Sequence, residues 1–488
     1  MKDKGRRQFA AGIMAVILAL SVSFPQHLSA AEVKAAEGNE LCFRYDEPAS
    51  KGVNILSAGM NYDTEEQNTW QQQTLPIGNG DIGANVYGEI VSEHLTFNEK
   101  TLWTGGPSDS RPGYMGGNSP DNGKYGETLK EVQRLFQEGN TSAAHELCNQ
   151  LTGISDGYGA YQAWGDIYFD FSDITESKVN HYERDLDLKT AISSVVFTEG
   201  HTSYAREYFV SHPDNVLVAR LEADGADKMN FDIRFESKQG GSTVAHDDML
   251  MLCGEVSDNQ LQYASYLKVV PEDGKVTGSG NKLTVTDASA VTVYVSAVTD
   301  YKNEYPEYRT GETMGELEAK LQEIIGLASD KGYADVKQDH IEDYQSLFNR
   351  VSLDLGYAVS SKTTDKLLEE YKNGTASMGE MRQLEGMLFQ YGRYLTIASS
   401  REDSKLPSNL QGVWNCLNNP PWASDYHLNV NLQMNYWPTY STNLAECSLP
   451  LIDYVDSLRE PGRVTAAIYA GVVSEEGEEN GFMAHTQN

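Results

Sequence analysis

The sequence predicts a multidomain chain that is all-β in front and all-α behind, with a helical linker between. Three observations carry this. Apolar residues alternate with a period near 2 from Leu41 to about Thr299, and the period moves toward 3.6 after Asp300. The front is dense in runs of Val, Ile, Thr, Tyr and Phe separated by Gly, Asn and Asp clusters. Few helices intervene, which is the pattern of an antiparallel sandwich. Finally, 488 residues are too many for one ordinary core. The divisions expected are a leader at 1–30, a β-sandwich over 41–300, a linker over 301–375 and a helical domain over 376–488.

The strand-like runs in order are HLTFNEKTLW (His94–Trp103), GDIYFDF (Gly165–Phe171), AISSVVFT (Ala191–Thr198), HTSYAREYFVS (His201–Ser211), NVLVARLEA (Asn215–Ala223) and AVTVYVSAVT (Ala290–Thr299). One helical insert interrupts them. Leu129, Val132, Leu135 and Phe136 are helix-spaced, and a second helix follows from Ser142 to Leu151. Linking helices are expected at Gly315–Ser329 and Ala334–Val351, then a short strand, VSLDLG. Thr363 or Thr364 caps the next helix and Gly374 ends it. A long helix runs from Met378 to Ser400. Helices resume near Thr442, bent or interrupted by Pro450, and at Glu460–Gly471, where Pro461 suits a first turn. Three or four helices do not close a large helical barrel, so the C-terminus reads as a truncation.

Met1 to Ala31 has the order of a secretory signal: a basic head (Lys2, Lys4, Arg6, Arg7), an uncharged run from Phe9 to Phe24, then the small residues Ser29 and Ala30. A secreted or cell-surface protein is expected, with no other membrane segment. The formal net charge of −33 repels nucleic acid and anionic membranes and excludes both as partners. Five cysteines (Cys42, Cys148, Cys253, Cys416, Cys447) form no CxxC pair, and the histidines form no HxxxH or HExxH pair, so no metal set is read. Oligomeric state is not legible.

The stretch richest in chemistry is PPWASDYHLNVNLQMNYWP, Pro420 to Pro438. Its two leading prolines oppose a helix, which makes Trp422 to Asn431 extended. Alternation then places His427, Asn429 and Asn431 on one face, with Leu428, Val430 and Leu432 on the other. Trp414, Trp422, Trp437, Tyr426 and Tyr436 lie close in sequence. Carboxamides bond hydroxyls as donor or acceptor, and flat aromatics cover the apolar face of a pyranose. The same residues also describe a buried turn with Asn caps and core aromatics. Asn98, Glu99 and Trp103 occupy a Gly-flanked segment that either stabilises a domain interface or reaches across it. GNGDIG (Gly78–Gly83) has the spacing of a dinucleotide loop, but strand-like residues follow it, so it reads as a turn within a sheet.

LPIGNGDIGANVYGEI (Leu75–Ile90), LTFNEKTLWTGGPSD (Leu95–Asp109), YQAWGDIYFDF, YERDLDLKTA, YAREYFVSHPDNVLVARL, LFQYGRYLTIASSR, LPSNLQGVWN and the Pro420–Pro438 stretch come in the order found in glycoside hydrolase family 95, the inverting α-L-fucosidases. The resemblance runs from about residue 41 to the end. It implies a β-sandwich, a helical linker and the first part of an (α/α)6 catalytic barrel, with no metal or organic cofactor. It further implies that Asn431 activates the attacking water with help from Asn429, that His427 contacts the sugar, and that His485 belongs to the substrate cleft; Trp422, a flat aromatic of the same stretch, is by residue type a further sugar-binding candidate. The family's general acid, a Glu, and the Asp that polarises the amide fall beyond the aligned residues, so this chain alone is expected to be inactive. The expected substrate is a fucosylated oligosaccharide or polysaccharide, with the terminal fucose α-1,2-linked. Alternatives are an α-L-galactosidase of the same family, which differs in its sugar only at C5, and a non-catalytic glycan-binding surface protein.

Overall fold

The computed structural model describes residues 40–49, 65–118, 125–151, 153–357, 359–473 and 481–486; the leader expected at 1–30 lies outside them. Among the described residues, no helix is long and apolar enough to cross a membrane. Two antiparallel sheets form the front. The nine-stranded sheet runs Cys42–Tyr45, Val179–Asp187, Ile192–Glu199, Thr202–Ser211, Val216–Asp224, Ala290–Thr299, Gln262–Pro271, Met249–Glu255 and Ser242–His246. The seven-stranded sheet runs Lys275–Ser279, Lys282–Ala288, Met229–Ser237, Gly165–Phe171, Ser92–Glu99, Ile82–Val86 and Leu75–Gly78. One continuous apolar cluster fills the space between them.

Burial patterns explain which strands alternate in sequence and which do not. Met229, Phe231, Ile233 and Phe235 point inward while Asp232, Arg234 and Glu236 face out, as a sheet with one wet face requires. Ala290–Thr299, by contrast, is buried at every residue. Its inner side chains join the sandwich core. Its outer face is roofed by the helix Met314–Lys331, whose Leu317, Leu321 and Ile325 pack with Tyr294, Val298 and Phe209. An uninterrupted apolar run is the result of covering both faces.

A buried ion pair pins the two sheets together. Glu93 and Arg206 meet at 3.1 Å with both side chains essentially inaccessible. Arg206 also donates to the carbonyls of Glu89 and Ile90, and its guanidinium lies 4.4 Å from the Phe171 ring centre. Glu93 accepts from Gly88 N and Tyr208 Oη as well, so each charge is fully partnered.

The linker helices Met314–Lys331 and Tyr333–Phe348 form close to where the periodicity puts them. Thr313 and Glu316 make a capping box at the start of the first. VSLDLG forms no strand: residues 351–356 run without ladder partners between two helices. Its first carbonyl is taken by side chains of a later helix, Val351 O accepting from Gln390 Nε2 at 2.9 Å and from Arg393 at 3.3 Å. The helix Thr364–Asn373 ends at Gly374 in the left-handed region, and Met378–Ser399 begins on a Ser377–Glu380 capping box. After a long loop come Asn431–Tyr436, Pro438–Ser441, Leu449–Ser457 with Pro450 in its first turn, and Arg459–Ala470. The helical insert, Tyr125–Gln137 and Thr141–Cys148, leaves the sandwich and packs on Arg459–Ala470. All five cysteines are free, and only Cys42 and Cys447 are fully buried.

His340 sits on Tyr333–Phe348 against the sandwich, where its Nε2 donates to Thr190 O at 2.9 Å. Burial pushes its pKa down to about 4. Between pH 6.5 and 4 the unfolded chain therefore takes up a proton that the folded chain refuses, and stability falls as pH falls. Wild type should lose about 3 kcal/mol more than His340→Gln across that window, measured by denaturant unfolding at several pH values. Parallel stability profiles would refute the assignment.

Candidate functional site

The site lies where the loop from Ser400 to Val430 crosses the edge of the seven-stranded sheet. Asn79 Oδ1 accepts from Asp81 N and Ile82 N, which turns the chain tightly between two strands. Gly80 (φ 107°) takes a conformation open to glycine, so GNGDIG is a sheet turn and not a phosphate loop. Trp414 is buried against this hairpin and donates from Nε1 to Ile77 O at 2.8 Å. Asn415 N donates to Asn98 Oδ1 at 2.9 Å, and its carboxamide donates to Tyr161 O at 3.0 Å. Lys100 is fully buried and donates to Ser399 O at 2.7 Å; burial pushes its pKa down to about 8. Glu99 meets Lys405 at 3.1 Å. Asn98 and Glu99 are thus interface residues.

Beyond this seam the loop is strained. Trp422, Ala423 and Ser424 adopt positive φ in succession (51°, 56°, 50°). Each costs roughly 1–2 kcal/mol for an L-residue, so the neighbours must enforce it. They do: Tyr161 N donates to Ala423 O at 2.9 Å, and the buried Ser424 hydroxyl donates to Asn409 Oδ1 at 3.0 Å. The turn delivers Asp425 into the interior, 1% exposed. One of its carboxylate oxygens accepts from the Tyr158 hydroxyl and the other faces His427 Nδ1. Burial and then the Asp425 carboxylate hold the Tyr158 hydroxyl pKa well above the usual phenol range.

The expected extended segment is not what forms. His427 O accepts from Leu432 N at 2.9 Å, closing a turn that leads into the helix Asn431–Tyr436. Two prolines do keep the front of the stretch from being α-helical, but their influence ends before Asn431. Strict alternation therefore fails: Val430 is 54% exposed while Leu432 is buried. Asn429 and Asn431 stand exposed, and His427 is half-buried. Of the expected aromatics, Trp422 and Trp437 are exposed, whereas Trp414, Tyr426 and Tyr436 are buried.

Beside the loop is a cavity of about 700 Å3, walled by both halves of the chain. Trp103 lies between Tyr161 and Tyr426, each ring centre 5.2 Å away, and so both seals the interface and lines the cavity. Tyr158, Tyr301, Tyr454 and Asn118 contribute further aromatic and polar surface. His485 lines it too, edge-on to Tyr469 at 5.2 Å, with its pKa lowered by burial. His427, Asn429, Asn431 and Trp422 stand outside its lining. The two groups are nevertheless joined, because Leu428 N donates to Thr486 O at 2.8 Å. Sequence reasoning missed Tyr158 and Asp425. An Asp two residues before a His was the available signal; nothing local pointed to Tyr158.

Residues 43–304 match the profile of the glycosyl hydrolase family 65 N-terminal domain, and residues 332–488 that of the glycosyl hydrolase family 95 catalytic domain. "Alpha-L-fucosidase 2" of Arabidopsis thaliana is 32% identical over 441 residues, covering 84% of this chain and 49% of that protein. "Probable alpha-fucosidase A" of Aspergillus niger is 33% identical over 411 residues, covering 81% and 50%. Its counterpart in Aspergillus oryzae is 30% identical over 451 residues, covering 89% and 61%. The chain spans about half the length of the first two relatives.

The seam's polar bonds are testable individually. Asn98→Ala leaves the buried Asn415 N–H without its acceptor and should cost about 1–3 kcal/mol in denaturant unfolding. A loss under a few tenths of that would show that the contact does not hold the loop.

Proposed function

The chain belongs to glycosyl hydrolase family 95, and from that premise we propose that it is the sandwich and leading catalytic portion of a secreted α-L-fucosidase. That enzyme, at the relatives' full length, removes terminal α-1,2-linked fucose from a glycan with inversion at the anomeric carbon. The observation that carries this reading is His427-x-Asn429-x-Asn431, which the family's motif matches residue for residue. Here it emerges from a strained, over-determined loop at the junction of the two halves, next to an aromatic cavity.

Inverting hydrolysis needs an acid on the leaving oxygen and an activated water on the opposite face. The two carboxyl groups usually stand about 6.5–9.5 Å apart to admit that water. A carboxamide is a negligible base by itself. Asn431 can take part only if a carboxylate accepts from its NH2 and so raises the electron density on Oδ1, the atom that would face the water. Among the described residues, neither exposed amide is hydrogen-bonded to a carboxylate. We assign the polarising Asp and the acid Glu to the part of the relatives' length that this chain does not span. On this reading the 488 residues bind the water side of the sugar and do not turn it over.

In a version extended to the relatives' length, Asn431→Ala should lower kcat for release of fucose from 2′-fucosyllactose by at least a hundredfold. The β-anomer of fucose should appear first by NMR. An unimpaired Asn431→Ala, or first appearance of the α-anomer, would overturn the proposal.

A further inference from the structure

Asp425 is a carboxylate taken almost wholly out of water, 1% exposed, on the loop that presents His427. Burying such a group is costly unless its oxygens are hydrogen-bonded. Both are engaged, by different groups: Tyr158 Oη donates to Oδ2, and His427 Nδ1 faces Oδ1 within hydrogen-bond reach. Tyr158 comes from the other half of the chain. It sits in the sandwich insert on a segment that is itself pinned. Tyr114 Oη donates to Gly157 O at 3.1 Å, and Gly159 lies so close to Thr104 that an added Cβ would stand 2.2 Å from its carbonyl oxygen. The backbone on either side of Asp425 is equally fixed, with Asp425 N donating to Trp422 O at 3.2 Å and Leu428 N to Thr486 O.

We propose that Asp425 is the positioning residue for His427, and that Tyr158 holds Asp425 from the sandwich side, so that His427 is kept with its proton on Nδ1. An ionised carboxylate has no hydrogen to give, so a ring nitrogen facing it must donate. The reverse tautomer would set a nitrogen lone pair against carboxylate lone pairs in a buried position. Nε2 is thereby the acceptor nitrogen of the neutral ring. A sugar hydroxyl can donate or accept, but opposite this nitrogen it can only donate, which fixes the polarity of one contact. Tyr158 makes the arrangement a joint property of both domains: the sandwich insert orients His427 through Asp425. The value of this to catalysis rests on the reading of His427 as a sugar contact; the tautomer itself does not.

The test separates the two. The 488-residue chain is labelled with 15N-histidine, and the His427 ring nitrogens are assigned with His427→Gln and read at a pH where the ring is neutral. Nδ1 should carry the proton in the unmodified chain. Asp425→Asn should keep this tautomer, since its Oδ1 still accepts while Tyr158 accepts from the new NH2. Asp425→Ala should shift the population to Nε2–H. An Nε2–H ring in the unmodified chain, or no change in Asp425→Ala, would overturn the proposal; the first needs no variant at Asp425 to fold. In the extended enzyme, Asp425→Ala should lower kcat/KM about tenfold or more, on the scale of other orienting partners, while Asp425→Asn retains most of it. The double variant with His427→Gln should lose no more than His427→Gln alone, and additive losses would count against the positioning role. Absence of turnover in the unmodified extended enzyme would count against the fucosidase reading, and the ring-nitrogen shifts would still decide the tautomer.

Discussion

Gly78 lies flat against the end of the helix Met378–Ser399, so close that an added Cβ would stand 2.5 Å from the Ala398 carbonyl oxygen. Gly80 N donates to that same oxygen at 2.9 Å, and Tyr394 donates back to Pro76 O at 2.6 Å. Gly83, one hairpin strand over, is closed in by Val413 and Trp414. The site depends on this approach. It sets where the helix stops, where the Ser400–Val430 loop starts, and how near Asn98 and Tyr161 come to the residues they bond. Each neutral hydrogen bond in the seam is worth only about 1 kcal/mol net, but leaving one buried and unmade costs more. Their number makes the register of loop on sheet nearly obligatory.

That rigidity accounts for the strained turn. Three successive left-handed residues are unfavourable alone and persist because Tyr161, Asn409 and the buried Asp425 fix both ends. The sandwich is therefore part of the site and not a passive support. It supplies Trp103 and Tyr158 to the cavity, and its insert packs on the last helix.

The architecture was legible because it is written in periodicity. GDIYFDF and AVTVYVSAVT form strands with the bounds their composition gives, Gly374 ends its helix in the left-handed region, and Pro461 falls in a first turn; Thr363 stands at the N-cap position but its side chain makes no capping bond. VSLDLG misled because side chains from a distant helix, Gln390 and Arg393, take the Val351 carbonyl that a ladder would have used. The candidate site was legible in part. Residue type singled out His427 and the two amides as candidates. Their arrangement was not legible, because a turn stabilised from a distant segment replaced the strand that the prolines implied. Tyr158 and Asp425 are 267 residues apart, and that kind of pairing leaves no local trace.

The central claim is that the hairpin–helix seam holds the Ser400–Val430 loop in place. Amide hydrogen exchange, followed by mass spectrometry in the unmodified chain and in Gly78→Ala, tests it directly. The account predicts much faster exchange across residues 409–432 in the variant, with Met249–Glu255 and Gln262–Pro271, away from the seam, unchanged. Unaltered protection of 409–432 in a folded Gly78→Ala would contradict it.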